Sequence, residues 1–405
     1  MLGANKEADL EDEELEQTSS SAAIVADSDD LITNIFLHLP IKSLLRIKSV
    51  CKRWLSLISD PFFVNLRNRT TNVVSALFFK RVHSSELYFV FLDRNNSNDD
   101  IPIRDLSFVE DSVGLEVTHS CNGLICCRSR RRCTDYFYFT YYICNPTTKQ
   151  YRKLPPTLGG GVVHSFVNIA FDPCKSPHYK AICISSNDGW HWQIEIYYSE
   201  IKQWRQICGE PFTSLGMNFD RGVLWNGAMH WISTEGSSLS FDVERECFRR
   251  MPSMPLISID REYRNRMYLY IGESQGHLYL IGTDFDRPLD EPQTTCFHIF
   301  EMETDYSGWV LKYQVDSDVP IAPIHLDICF SILHLVRGEG DEEEEEEEDL
   351  SLVIHTVGDH EVFSYNLKDI ALRKLRIVPE PIQNSRPLKF WWSSTYQYIE
   401  SICYV

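Results

Sequence analysis

Several features that would place this 405-residue chain in a large protein class are missing from it. No apolar run approaches the ~20 residues that a membrane-spanning helix needs. The N-terminal stretch has no basic segment leading into an apolar one, so no secretory leader is expected. Among 13 cysteines there is no Cys-x-x-Cys pair. Cys121, Cys126, Cys127 and Cys133 cluster, yet no second ligand pair or spaced histidine accompanies them, so reduced, packed thiols are expected rather than zinc or disulfides. That points to an intracellular protein, in cytoplasm or nucleus, where Asn68-Arg69-Thr70 and Asn95-Asn96-Ser97 are unused sequons.

Chemical signatures are scarce too. No Gly-x-Ser-x-Gly nucleophile elbow, no phosphate loop and no His-Glu-x-x-His metal motif is expected. Ser186-Asn187-Asp188-Gly189 only approaches a sialidase aspartate box, because its glycine comes one place early. No pair of carboxylates or histidines stands out as a catalytic set, and neither a cofactor nor a metal is expected. Gly159 to Gly161 read as a flexible loop. Trp190, His191, Trp192 and the pair His230-Trp231 read as core or rim aromatics, with a recognition surface as the other reading.

Positive charge is outnumbered, 39 basic residues against 58 acidic, for a formal charge of −19. The excess is local. Residues 1–30 hold ten acids and one lysine, and Asp341 to Asp349 is an unbroken run of nine acids; without these two the remainder is near −1. A folded part so close to neutral has no general attraction for nucleic acid or a membrane surface. Residues 1–26 are expected to form a disordered acidic tail, and 339–349 a solvated acidic loop between two strands. Arg128 to Arg132 is expected in the loop of a charged hairpin, between Cys126-Cys127 and the aromatic strand Tyr136 to Cys144.

Against this background one stretch, Leu31 to Leu66, carries helical periodicity and helix-stop chemistry together. Leu31, Ile35 and Leu39 recur at i, i+4 and i+8, and Ile32 and Phe36 follow one place behind, which predicts one broad apolar face. Asp27 to Asp30 supply N-cap candidates, and Pro40 stops the helix. Ser43 is placed to cap a second helix with Leu44, Leu45 and Ile47. A third is expected through Val50, Trp54, Leu57 and Ile58, ending at Asp60-Pro61. Three short helices cannot bury all of this surface against one another, so some of it awaits a partner. Lys42, Arg46, Lys48, Lys52 and Arg53 crowd the region as in a helix-turn-helix, but the basic footprint stops there.

This run resembles an F-box in its plant form, the motif that docks a substrate receptor onto the Skp-type adaptor of a cullin-based ubiquitin ligase. The family's opening Leu-Pro pair is replaced here by Asp27-Ser28. The resemblance implies a small all-α F-box over 27–69. It also implies adaptor-binding positions at Leu31, Ile35, Leu39, Pro40, Leu44, Leu45, Val50, Cys51, Trp54 and Leu57, with Lys52 as a polar contact, some of them shared with the internal core.

From residue 72 the pattern changes to short β-branched and aromatic runs between turn signals. Five phrases repeat as strand, polar turn and strand, with turns near Asn145, Ser199, Asp242, Thr304 and Asn366, spaced by 54, 43, 62 and 62 residues. Glycine turns followed at once by a strand precede several of them, at Gly123, Gly227 and Gly276. One such unit per four strands predicts a β-propeller of about six blades, with Val73 to Leu92 as the first unit and Ser394 to Tyr404 closing the ring. Ser120 to Leu124, Asn145 to Pro155, Asn226 to Trp231 and Phe241-Asp242 resemble the F-box-associated, kelch-like region of plant F-box proteins, which implies an interaction domain over 72–405. The pair of resemblances implies a non-catalytic receptor that brings an unknown target protein to the ligase for ubiquitination and degradation by proximity. A scaffold without a degradation role and a propeller that binds a glycan or small molecule are the other readings.

Overall fold

A computed structural model describes residues 25, 27–71, 74–80, 87–92, 105–132, 137–158, 164–207, 212–213, 216–233, 236–255, 265–285, 296–315, 330–338, 349–356, 361–378 and 394–405. Apart from Val25, the expected acidic tail falls outside them, as do the glycine loop 159–161 and the sequon at Asn95. Of the acidic run only Asp349 is included.

The N-terminal lobe has four described helices, α1 (Asp29–Leu37), α2 (Ile41–Ile47), α3 (Lys52–Ser59) and α4 (Pro61–Thr71). Ser28 is the N-cap of α1, its Oγ accepting from Leu31 N at 3.4 Å. Pro40 is itself the N-cap of α2, so Ser43, expected to cap that helix, lies inside its first turn. Cys51 caps α3, which leaves Val50 in the preceding turn rather than in the helix. Asp60 closes α3 and opens α4, its Oδ1 accepting from Phe62 N at 2.7 Å. Pro61 then occupies the first position of a fourth helix beyond the three expected, where its fixed φ and missing donor are harmless.

The remainder is six sheets around one axis. The first combines β1 (Ala76–Lys80) and β2 (Leu87–Phe91) with β24 (Ile377–Val378) and β25 (Thr395–Tyr398), in the order β24-β2-β1-β25. The second is β3 (Glu116–Cys121), β4 (Leu124–Arg132), β5 (Phe137–Asn145) and β6 (Gln150–Lys153). The third holds β7 (His164–Ala170), β8 (Lys180–Ser186), β9 (His191–Tyr198) and β10 (Gln203–Gln206), with the short β11 (Phe212–Thr213) added to β9. The fourth is β12 (Val223–Trp225), β13 (Ala228–Ile232), β14 (Ser238–Asp242) and β15 (Cys247–Arg249). The fifth is β16 (Asn265–Ser274), β17 (His277–Phe285), β18 (Cys296–Met302) and β19 (Trp309–Val315). The sixth is β20 (Phe330–Arg337), β21 (Leu350–Thr356), β22 (Glu361–Asn366) and β23 (Ala371–Leu375). This is a six-bladed propeller, as the repeats predict, and β25 closes it by pairing with β1 from Ala76↔Tyr398 to Phe79↔Thr395. Pairing the two ends of the domain in one blade removes the exposed edges that an open array would have.

Both turn phrases of the sequence have a backbone reason. Asn122-Gly123, Asn226-Gly227 and Gln275-Gly276 all have positive φ at both residues, the geometry of a two-residue type I′ hairpin. Lys149, Lys202, Glu246, Tyr306 and Ile370, one in each of the five repeats, are also left-handed, with φ between 55° and 62°. The repeat is thus conformational, kept even where the side chains differ. Blade-to-blade packing explains the continuous apolar runs. In β4, Leu124 and Cys126 enter one buried cluster while Ile125 and Cys127 enter the cluster on the other face. Arg128 to Arg132 continues that strand instead of forming the hairpin loop expected, with Arg128 paired to Glu116 at 2.8 Å and Arg131 to Asp111 at 3.1 Å.

Candidate docking surface

The two apolar rows of α1 separate in space. Ile32 and Phe36 are buried, while Leu31 and Ile35 remain 43% and 49% exposed. One residue step is about 100° of helix rotation, so a face that looks continuous in sequence divides between core and surface. Below α1, Phe36 meets Trp54 edge to face at 5.4 Å. Ile41, Leu44, Ile58, Phe63 and Val64 complete the interior. Buried Arg67 on α4 donates to the carbonyls of Leu37 and Leu39, the latter at 2.7 Å, and so satisfies the open end of α1. At the other end Arg53 joins α3 to α1, donating to Asp29 Oδ1 at 2.7 Å and to Asp27 O at 2.9 Å.

Of the positions expected to meet an adaptor, Leu31, Ile35, Pro40, Val50, Cys51 and Lys52 are exposed, and Leu39, Leu45, Trp54 and Leu57 are half-buried. Leu44 is a correction. It is fully buried in the lobe's core and has no surface to offer. Two further apolar side chains stand out into solvent, Leu55 on α3 and Phe62 on α4, the latter 73% exposed. Leu55 lies off the Trp54, Leu57, Ile58 stripe, and the Phe62-Phe63 pair puts one ring out and one in. A helical wheel drawn through α4 would have shown the second.

The lobe is fixed to one edge of the propeller. Asn65 Nδ2 donates to Cys174 O at 2.5 Å, and Asn68 Nδ2 approaches Cys403 Sγ at 3.3 Å. Lys48 Nζ sits 5.5 Å from the Tyr404 ring, where burial lowers its pKa. The C-terminal residues Ile402 and Cys403 belong to the same buried cluster as Ile32, Leu44 and Leu124. Gly123 lies against this segment so closely that a Cβ there would overlap Ser401. The hairpin turns at Asn122, Asn226 and Gln275 therefore mark the lobe's edge. The opposite edge carries the connections of β4 to β5 and of β8 to β9 and those between blades. Tyr138, Leu158 and Trp190 are 42%, 59% and 57% exposed on it. Trp190 is held by Asp188, whose carboxylate accepts from the backbone N of Trp190 and His191 at 2.8 Å. Trp192, His230 and Trp231, by contrast, are core.

Contrary to expectation, Gly272 to Gly276 spells Gly-x-Ser-x-Gly, the pattern of a hydrolase nucleophile elbow. Here it is the hairpin turn from β16 to β17, not a strand-to-helix turn, and Ser274 Oγ accepts from Arg337 N at 3.0 Å. Among the described residues no cluster of three or more His, Cys, Asp or Glu is placed to hold a metal ion, and no helix is long and apolar enough to cross a membrane.

Comparison with known proteins agrees with this architecture. The F-box domain model matches residues 28–65, and the F-box associated beta propeller domain model matches 75–309. The chain belongs to the F-box proteins that carry this propeller domain. An Arabidopsis thaliana relative, F-box protein At5g07610, is 31% identical over 96% of this chain and 94% of its own length. A second, F-box protein At5g49610, is 32% identical over 62% of this chain and 71% of its own. Among solved structures, a GH93 alpha-L-arabinofuranosidase of Fusarium graminearum covers 64% of this chain and 79% of its own with a TM-score of 0.37 and 9% identity, too distant to inform activity. As an F-box protein with its propeller, the chain has the substrate-recognition role of that family.

Proposed function

We propose that this F-box protein is the target receptor of a Skp-cullin-F-box ubiquitin ligase and that its target is ubiquitinated and degraded. The separation of the two surfaces carries the reading. Leu31, Ile35, Val50, Leu55 and Phe62 are apolar and unsheltered on the lobe, and a folded lobe keeps such side chains outward where a partner covers them. Pro40, Cys51 and Lys52, with the exposed parts of Leu39, Leu45, Trp54 and Leu57, fill out that surface. The target is taken at the opposite edge, around Trp190, Tyr138 and Leu158. Because the lobe is anchored through Asn65, Asn68 and the C-terminal segment, a target held at one edge stands at a fixed distance from an adaptor held at the other. A fixed geometry raises the effective concentration of target lysines near the ubiquitin carrier, and no chemistry is required of this chain.

The test is capture of the full chain by a purified Skp-type adaptor, against the variant Leu31→Asp/Ile35→Asp. Capture of the wild type and loss in the variant, with an unchanged melting temperature, supports the reading. Equal capture of both would remove it.

A further inference from the structure

Leu31 to Ser59 holds five basic residues and no acid. Over the whole described lobe, 27–71, seven basic residues stand against four acids, so the lobe is cationic on a chain whose formal charge is −19. The fold gathers part of that charge at one place. Arg46 lies in the last turn of α2, Lys52 and Arg53 open α3, and only residues 48–51 join the two helices. Arg46, Lys52 and Arg53 are exposed there, as are Val50 and Cys51 between them, while Lys48 is turned to the Tyr404 ring.

Asp29, at the start of α1, pairs with Arg53 at 2.7 Å, and Asp27 and Asp30 flank it in sequence. Asp60, at the far end of α3, accepts from Phe62 N. Arg46 and Lys52 have no ion pair among the described residues. Cations on the propeller are placed differently: Arg128, Arg131, Lys180, Arg249 and Lys312 each meet a carboxylate.

The chain enters the lobe beside this basic connection. Arg53 donates to the carbonyl of Asp27 at 2.9 Å, and Ser28 N donates to Val25 O at 3.3 Å, which holds residue 25 at the same end of α1. Residues 1–24, outside the described residues, carry seven acids and one lysine. Five of those acids fall between Glu11 and Glu16. Leu10 and Leu15 bracket Glu11 to Glu14, much as exposed Val50 and Leu55 bracket Lys52 and Arg53. The stretch from Glu16 to Val25 spans up to ~30 Å. By contrast α4, with 11 residues, is only ~17 Å long. The acids therefore reach across the lobe, and so short a tether holds them there at about millimolar effective concentration.

We infer that residues 7–16 dock in cis on the basic connection between α2 and α3, with Arg46 and Lys52 as the cations that meet them and Val50 and Leu55 beside the two leucines. The acidic run 341–349 is less well placed for this. It ends at Asp349 in the sixth blade, whereas the lobe rests on Cys174 in the third and on the C-terminal segment held by the second. Val50, Cys51 and Lys52 also belong to the surface given to the adaptor, so on that reading the docked segment and the adaptor exclude each other. The contact itself does not depend on it.

Cys51 reports the contact, being exposed within the basic connection, and Cys247, exposed on the fourth blade, is the internal control. Iodoacetamide labelling of both thiols is followed in the full-length wild type, in Glu11→Gln/Asp12→Asn/Glu13→Gln/Glu14→Gln and in Arg46→Gln/Lys52→Gln. Each variant is expected to raise the Cys51 rate at least about threefold at low salt, as the open fraction grows, with Cys247 unchanged. The gain should vanish at about 0.5 M salt, where the screening length is about 4 Å, and should not depend on protein concentration. Removing two cations where no segment is docked would instead disfavour the Cys51 thiolate and slow its reaction. An unchanged or slower Cys51 in either variant overturns the inference. A rate that rises in Arg46→Gln/Lys52→Gln alone would assign the basic connection to the run 341–349 or to a second copy of the chain. No adaptor is present in this assay, so its failure leaves the proposed function standing.

Discussion

Asn145 donates from Nδ2 to the carbonyl of Cys403 at 2.8 Å, across 258 residues of sequence. The same side chain reaches Ser401 O at 3.0 Å, and its Oδ1 accepts from the N–H groups of Thr147 and Thr148. One fully buried amide thus shapes the turn after β5 and holds the C-terminal segment on which the helical lobe rests.

Replacing Asn145 with alanine should therefore cost more than a turn residue ordinarily does. Two buried carbonyls lose their donor, at about 1–3 kcal/mol each when nothing replaces it. A loss of about 2–4 kcal/mol in urea unfolding is expected. A loss below about 1 kcal/mol would mean that water takes over both bonds.

Leu44 and the Leu31/Ile35 pair should separate stability from docking. Leu44→Ala empties a fully buried site and should destabilise the lobe by about 2–5 kcal/mol. Leu31→Asp/Ile35→Asp should leave the melting temperature within about 2 °C of the wild type, since surface changes seldom exceed ~0.5 kcal/mol. Melting curves beside the adaptor capture assay decide it. Reversed effects would assign Leu31 and Ile35 to the core.

Acid sensitivity should come from histidines before carboxylates. Burial lowers His119, His230 and His334 each to about 4, against 6.5 when unfolded. The unfolded chain then binds up to three more protons between those values, so stability is full above about pH 6.5 and is lost as pH falls toward 4. Asp111, held at about 2 because hydrogen bonds led by Tyr142 outweigh its desolvation, adds its own loss only below about pH 3.8. A melting temperature flat from pH 6.5 to 4.5 would contradict the burial of these rings. His230→Gln should lower the slope by one proton.

Thiol labelling should divide the described cysteines by burial. Cys51 and Cys247 are exposed and should react with iodoacetamide in the native protein. Cys121 and Cys183 are buried, and burial pushes both thiols up to about 12, so they should react only after unfolding. Peptide mapping by mass spectrometry reads the outcome, and native labelling of Cys183 would show that the third blade opens.

The exact number of blades, and a strand where a turn is expected at Arg128 to Arg132, came from the structure; the sequence by itself determined the division into helical lobe and propeller, an approximate count of blades and the turns of the five repeats. Those follow from local chemistry. Asn-Gly pairs take positive φ, and a strand buried on both faces must be apolar throughout, wherever the blade lies in the ring. The five repeats were legible for the same reason, as were Ser28 at its cap and Pro40 at its helix boundary. Tertiary structure alone decided which apolar residues of the lobe face inward. Leu31 and Ile32 are one step apart with similar side chains, and only the packing of α1 against Trp54, Ile58 and Phe63 selects Ile32 for the core. It also decided where Arg221 ends. Nothing in the order Asp220-Arg221-Gly222 shows that closure of the ring by β25 will bring Thr395 and Tyr396 against that side chain, because the contact spans 174 residues and exists only once the two ends of the domain have met.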